Sequence, residues 1–348
     1  MIDIFAKKLR MHFKTTYKIA YETVDTADIV VLKLEDERGF YGLGSAAPDF
    51  EVTGESVDSV LKILQENITS DFFETSFDAW YWYHQEIEKA CKGNPSAQSA
   101  LEEAYLNLLC ARMGITIKYL FGGYRKTCLI IMSIGLKNID ETVTEAKEKI
   151  EAGYRIIKLK CGHDVEEDIE KLTRVSSILP KGRVLSLDAN QGYEFGDAEK
   201  IIKTAKNLGT VQFIEQPLSS DDWDAMKALR KWGLPIYADE SVVSEDSLMS
   251  LLSGDYVDGV VLKLMKCGGP VNFVSMFHIA KAFHKGVMIG CMYESNISVT
   301  TGAYLALALP IDFVDLDTGH LDFLDDPALG GVEIIGGRIN NFSPLALR

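Results

Sequence analysis

Lys158 and Lys160 stand two residues apart in the run Ile156-Ile157-Lys158-Leu159-Lys160, and from Lys160 onward Asp188, Glu215, Asp239 and Lys263 follow at steps of 24 to 28 residues. Each closes a short run rich in Val, Ile, Leu or Phe, the pattern of a buried strand ending in a polar side chain. Lysines at i and i+2 of a strand share one face. Among apolar flanks an uncompensated ammonium is costly. Burial and a like-charged neighbour both disfavour the protonated form, which makes a lysine usable as a base. The alternative, a lysine pair that keeps an exposed edge strand soluble, fits those flanks less well.

Three carboxylates brought together from adjacent strand ends require a cation, and oxygen ligands with no partnering histidine suit Mg2+ or Mn2+ better than zinc. The competing reading, one acid capping each following helix, accounts for any single acid more easily than for three at the same phase. Lys263 supplies a second base across from the first, so a carbon acid between Lys160 and Lys263 would be open to proton transfer on both faces. Asn190 and Glu240, close to these acids in sequence, are expected to support the charged set. Asp315 and Asp317 form another same-face pair, too late in the strand order to join the three acids. They read as a clamp for a cationic group of a substrate or, alternatively, as solvated turn acids. Lys266 is expected in the loop leading to Gly268-Gly269.

The steps match one strand-helix unit of a (β/α)8 barrel, whose chemistry sits at the C-terminal ends of its strands. Strands are expected near 128–135, 155–160, 183–188, 210–215, 234–239, 257–263, 286–291 and 312–317, with helices including 142–152, 166–178, 198–208, 222–232, 244–252 and 271–284. Residues 1 to about 120 break this rhythm, with strands over 2–13, 29–34 and 40–44 and helices over 56–65 and from Asn94-Pro95 to Gly114. The expected fold is therefore α/β: a (β/α)8-type (modified TIM) barrel over 123–322 with an N-terminal α+β capping domain over 1–122, completed by about 323–348. Polar stretches at 14–28 and 48–55 read as long loops of the kind that form lids. The aromatic cluster Phe72, Phe73, Phe77, Trp80, Tyr81, Trp82 and Tyr83 reads as packing between helices. Gly42-Leu43-Gly44-Ser45-Ala46-Ala47 loosely matches a dinucleotide fingerprint, but no helix follows it, so it reads as a hairpin end.

Composition narrows the partners. With 47% hydrophobic and 25% charged residues the chain is of the soluble globular type, and a net charge of -15 leaves no excess of cations for nucleic acid or an anionic membrane. Six scattered cysteines without a CxxC pair argue against zinc or a disulfide framework and for a reducing compartment. The first residues lack the apolar core of a signal peptide, and the longest apolar run, 303–310, is too short to span a bilayer. A cytoplasmic location is expected. A homo-oligomer is compatible with the sequence, which does not set the assembly.

The set KLK (158–160), DAN (188–190), EQP (215–217), ADES (238–241) and KLMKCGG (263–269) resembles the enolase superfamily, in its muconate-lactonizing subgroup, over essentially the whole chain. Asp315 and Asp317, with GCMYES (290–295) before them, are similar to the dipeptide epimerases of that subgroup. The resemblance implies that Asp188, Glu215 and Asp239 ligate Mg2+, which chelates the C-terminal carboxylate of a small dipeptide. It implies that Lys160 and Lys263 are acid and base on opposite faces of the α-carbon, with Lys158 stabilising the enediolate. Asp315 and Asp317 would hold the free α-ammonium. The implied activity is inversion of the C-terminal residue, in L-Ala-D/L-Glu or another dipeptide; the alternatives within the subgroup are o-succinylbenzoate synthase and N-acylamino acid racemase. Lys18 stands at about the position where members acting on L-Ala-D/L-Glu carry an arginine that reads the Glu carboxylate, without the two-pronged guanidinium geometry. Alternatively Tyr17, Tyr21, Phe50 and Tyr293 line a more apolar pocket.

Overall fold

Alternating β-branched and aromatic residues extend the first two strands, β1 (Ile2–Lys18) and β2 (Thr23–Asp36), into one long antiparallel hairpin. The computed structural model, which describes residues 2–73 and 79–348, thereby overturns the polar loop expected at 14–28. After a register shift between His12 and Tyr17, pairing resumes as Tyr17 with Val24 and Lys18 with Thr23. At the tip, the Ile19 amide donates to the Glu22 carbonyl at 3.0 Å. Strand β3 (Tyr41–Ala46) completes a three-stranded sheet.

The helix Pro95–Met113 lies against that sheet, and Gly42 and Gly44 permit the approach. A Cβ on Gly44 would stand 1.9 Å from the Ala100 carbonyl oxygen, so the glycines serve packing. Asn94 occupies the expected cap position but makes no side-chain cap bond. Glu55 caps the helix instead, accepting from the amides of Ser96 at 2.9 Å and Ala97 at 3.2 Å. The stretch 48–55 contains a helical turn, Phe50–Thr53, capped by Asp49. Phe72, Phe73, Tyr83 and Tyr105 pack with ring centroids between 4.9 and 6.2 Å apart; Phe77 lies outside the described residues.

The rest of the chain builds the parallel sheet. Strand β4 (Cys128–Leu129) is followed by β5 (Ile131–Ile134), β6 (Ile156–Lys160), β7 (Val184–Asp188), β8 (Val211–Glu215), β9 (Ile236–Ala238), β10 (Gly259–Lys263), β11 (Gly286–Gly290) and β12 (Phe313–Val314), of which β5 to β12 pair in sequence order. The strand expected at 128–135 is thus divided, its first part pairing elsewhere. The strand expected at 312–317 is shorter: after the Asp315 amide donates to Ile289 at 2.8 Å, the backbone leaves the ladder. At the seam between β5 and β12 the Ser133 amide donates to the Asp317 carboxylate at 2.7 Å. The helix Asn296–Ala308 is buried on all sides and has no polar face, so periodicity could not reveal it. Strands β13 (Ala328–Ile335) and β14 (Arg338–Leu347) pair with each other and with β4, while the Tyr41 hydroxyl donates to Leu345 across to the first sheet. No described helix is long and apolar enough to cross a membrane.

Candidate active site

The interior of the barrel is layered, and the two-residue period of its strands sets the layers. Ile131, Ile156, Phe213, Tyr237, Val261, Met288 and Phe313 pack into an apolar plug. Two residues further along the same strands, or just past them, stand Ser133, Lys158, Glu215, Asp239, Lys263, Gly290 and Asp315. The charged groups therefore occupy the next pleat toward the C-terminal ends, floored by hydrocarbon. Strand register completes the row, pairing Lys160 with Asp188 and Asp188 with Glu215. Across five consecutive strands, β6 to β10, the order of side chains is lysine, acid, acid, acid, lysine.

The two outer lysines meet opposite ends of the acidic arc. Lys160 Nζ donates to Asp188 Oδ2 at 2.7 Å and to Asn190 Oδ1 at 2.9 Å; Lys263 Nζ lies 2.8 Å from Asp239 Oδ2. Asn190 in turn donates to Glu240 Oε1 at 3.1 Å, so the pair expected to support the set does touch it. Lys158 is surrounded by acids, 3.1 Å from Asp188, 3.3 Å from Glu215, and in contact with Asp315. Counting strands in open order put Asp315 remote from the acids. Curving the sheet into a barrel brings β12 to the β5 edge, and Lys158 bridges the gap.

The charge states differ from the sequence expectation. Burial alone would push the Lys158 and Lys263 ammonium groups toward neutrality, but the surrounding carboxylates prevail and hold both pKa values well above ordinary. Burial likewise pushes the acids up, yet the adjacent lysines keep Asp188 down at about 2 and Asp239 lower than ordinary. Burial and the like charge of Asp188 leave Glu215 raised well above the usual range. As posed, no three His, Cys, Asp or Glu side chains among the described residues are gathered as a metal ligand set; the ammonium groups engage the carboxylates instead. The donor chemistry nevertheless fits a hard divalent cation: three buried oxygen donors on neighbouring strands, each raising the charging cost of the next.

Lys266 corrects the reading most plainly. It lies on a short helix, Leu264–Cys267, rather than in a loop, and is only 2% exposed. Its ammonium donates to the Asp239 carboxylate and carbonyl, both at 2.5 Å, and to the Val261 carbonyl at 3.2 Å. Gln216, buried and held at φ 33°, stands in the EQP motif but had no role assigned from the sequence. Its Oε1 accepts from the Asp239 amide at 2.9 Å and its Nε2 donates to Ser241 at 3.0 Å, which ties the ends of β8 and β9 together.

Above this layer opens a cavity of about 350 Å3, lined by Lys158, Lys160, Lys263, Asp315 and Asp317 below and by the β1–β2 hairpin above. The hairpin contributes Tyr17 and Ile19 from β1 and its turn, Tyr21 and Glu22 from the tip, and Val24, Thr26, Ala27 and Asp28 from β2. Lys18 falls between Tyr17 and Ile19, is exposed and does not line the cavity. The substrate-reading position expected of Lys18 is thus not part of the lining. Tyr17, Tyr21, Phe50 and Tyr293 all line the cavity, Phe50 being 70% exposed at its rim. Glu22 was missed because its segment read as a loop; only the pairing of Tyr17 with Val24 puts it on the Tyr17 face. The Tyr293 hydroxyl donates to Glu22 Oε1 at 2.7 Å and fixes the hairpin tip to the barrel.

With this geometry in hand, comparison with known proteins is decisive. Residues 1–122 match the mandelate racemase/muconate lactonizing enzyme N-terminal domain and residues 141–341 the enolase C-terminal domain-like family. The chain belongs to the enolase superfamily. It is 30% identical over 333 residues to an L-Lys-D/L-Arg epimerase of Methylococcus capsulatus, covering 94% of this chain and 93% of that protein. The substrate-liganded L-Ala-D/L-Glu epimerase from Bacillus subtilis superposes with a TM-score of 0.94 at 26% identity, over 100% of this chain and 99% of that one. A dipeptide epimerase from Methylococcus capsulatus complexed with Mg and L-Arg-D-Lys gives 0.88 at 29% identity, over 98% and 97%. Curated relatives of this superfamily member include epimerases and a racemase, and it is an isomerase.

Proposed function

We propose that the enzyme is a Mg2+-dependent dipeptide epimerase that inverts the α-carbon of the C-terminal residue by proton transfer between Lys160 and Lys263. The observation that carries this reading is the lysine–acid–acid–acid–lysine order across β6 to β10, open to a cavity whose far side presents Asp315 and Asp317. Asp188, Glu215 and Asp239 would hold Mg2+, with Mn2+ of the same ligand class, and the ion would supply positive charge against the substrate carboxylate. Lys160 and Lys263, anchored at opposite ends of the acidic arc, can each reach a different face of a carbon above it. One takes the α-proton while the other returns a proton from the far side, a 1,1-proton transfer. Lys158, fully enclosed between Asp188, Glu215 and Asp315, places a fixed charge where the departing proton leaves negative charge behind. Such a carbon acid is very weak, and lowering its barrier asks the site for about 8 kcal/mol or more.

Asp315 Oδ1 is buried without a hydrogen-bond partner and lines the cavity, which suits it to a substrate ammonium. That favours a dipeptide with a free α-amino group over an N-acylated or non-amino substrate. Incubation of a dipeptide panel in D2O with Mg2+ tests the reading: deuterium is expected at the C-terminal α-carbon, together with the inverted epimer. Absence of exchange from every dipeptide, or exchange that persists undiminished after the divalent ion is removed with EDTA, would overturn it.

A further inference from the structure

We infer that the residue inverted by this enzyme carries a cationic side chain, of the lysine or arginine class, received by Glu22 and Asp49 at the hairpin end of the cavity. The inference rests on the epimerase reading above and adds the substrate class. The cavity has two distinguishable ends. Tyr17 and Cys291 feel the charges of Asp315 and Asp317, whereas Glu22 feels Lys160 and Asp49, and Tyr21 feels Asp49, Glu240 and Lys263. The hairpin tip, tied to Tyr293 through Glu22, shares one cavity with Lys160 and Lys263 and with the Asp315–Asp317 pair.

At the tip end the charge is negative. Glu22, Asp49 and Glu51 line the cavity there, while its lysines, Lys158, Lys160 and Lys263, are all engaged by carboxylates. Asp28 also lines the cavity but is neutralised by Arg10 at 2.6 and 2.8 Å, so it is set aside. Lys18 is exposed and does not line the cavity. The walls between the bases and these acids are aromatic, from Tyr21, Phe50 and Tyr293. Aromatic walls ending in carboxylates suit a long aliphatic stem with a positive head, and suit neither a carboxylate nor a wholly apolar side chain. The Tyr293 hydroxyl holds one oxygen of Glu22, which lines the cavity. An independent sign that the cavity receives a cationic ligand is Asp315 Oδ1, 6% exposed as a residue and unpartnered, at the opposite end. The two sites together fit a dipeptide with an α-ammonium and a second positive group on its C-terminal residue.

The test compares α-proton exchange in D2O, with full-length enzyme and Mg2+, for L-Ala-L-Lys, L-Ala-L-Arg, L-Ala-L-norleucine, L-Ala-L-Glu and L-Lys-L-Ala. The cationic C-terminal residues are expected to exceed norleucine, which lacks only the charged head, by about tenfold or more in kcat/KM, and Glu by about a hundredfold. Glu22→Gln or Asp49→Asn should lower the lysine-to-norleucine ratio by about tenfold, whereas a purely structural role would lower both substrates alike. Norleucine or Glu equal to lysine, an unchanged ratio in both variants, or a preference for L-Lys-L-Ala would overturn this inference while leaving the epimerase intact. No exchange from any dipeptide would overturn the epimerase reading and this inference with it.

Discussion

Replacing Lys266 by methionine isolates the part of the site that sequence reading misplaced. Methionine fills nearly the same volume and is unbranched, so the substitution removes charge and donors without opening a cavity. Three acceptors lose a donor: Asp239 Oδ1, the Asp239 carbonyl and the Val261 carbonyl. Breaking a buried ion pair outright costs about 3–5 kcal/mol. Here the loss is smaller, because Asp239 Oδ2 keeps Lys263 at 2.8 Å and the Asp239 carbonyl keeps the Val242 amide at 2.9 Å. A hydrogen bond to a charged group contributes about 1.5–3 kcal/mol, and the remaining bonds add less because their acceptors stay partly satisfied. The expected loss is therefore ~2 kcal/mol. Urea unfolding followed by circular dichroism measures it, with Lys181→Met as an exposed control that should stay within about 0.5 kcal/mol of the parent. A loss for Lys266→Met below about 1 kcal/mol, or indistinguishable from the control, would refute the reasoning that this lysine holds Asp239 in place.

Two further perturbations act on the first sheet and its helix. Glu55→Ala removes the carboxylate that caps Pro95–Met113 from outside the helix and should cost ~2 kcal/mol in the same unfolding measurement, whereas Asn94→Ala, which loses no cap bond, should cost much less. Burial pushes the Asp36 carboxyl up, but the amides of Phe40 and Arg38 and the Arg112 guanidinium outweigh it and hold its pKa below the ordinary value. Its stabilising contribution is thus complete above the unfolded pKa, near about 3.9, and is lost as pH falls through the lower folded value. Urea midpoints measured from pH 6 down to pH 2.5, about the range that spans both pKa values, should decline less steeply in Asp36→Asn than in the parent.

Much of the lysine–acid arc was legible because it depends on local rules alone. Strand ends repeat at one βα unit, the side-chain period is two, and the acids and lysines therefore arrive in one layer whatever the loops do. What was not legible depended on which face of an element packs against something else. The segment from Lys14 to Asp28 is polar, yet it continues the hairpin, and only contact with the barrel decides that Tyr17 and Glu22 line the cavity while Lys18 does not. Lys266 follows the same logic, since a helical turn after β10 swings it back onto Asp239. The full setting of Lys158 was hidden for a different reason. Burial was visible in its apolar flanks, but the three carboxylates around it come from β7, β8 and the end of β12, and their summed charge is a property of the closed barrel.

The central claim is that two amines serve opposite faces of one carbon, and single-lysine variants test it most directly. Lys160→Ala and Lys263→Ala should each fail to interconvert the two epimers of a dipeptide, yet each should still wash the α-proton of one epimer into D2O. The account predicts that the two variants act on opposite epimers. Exchange of the same epimer by both variants, or continued inversion by either, would contradict it.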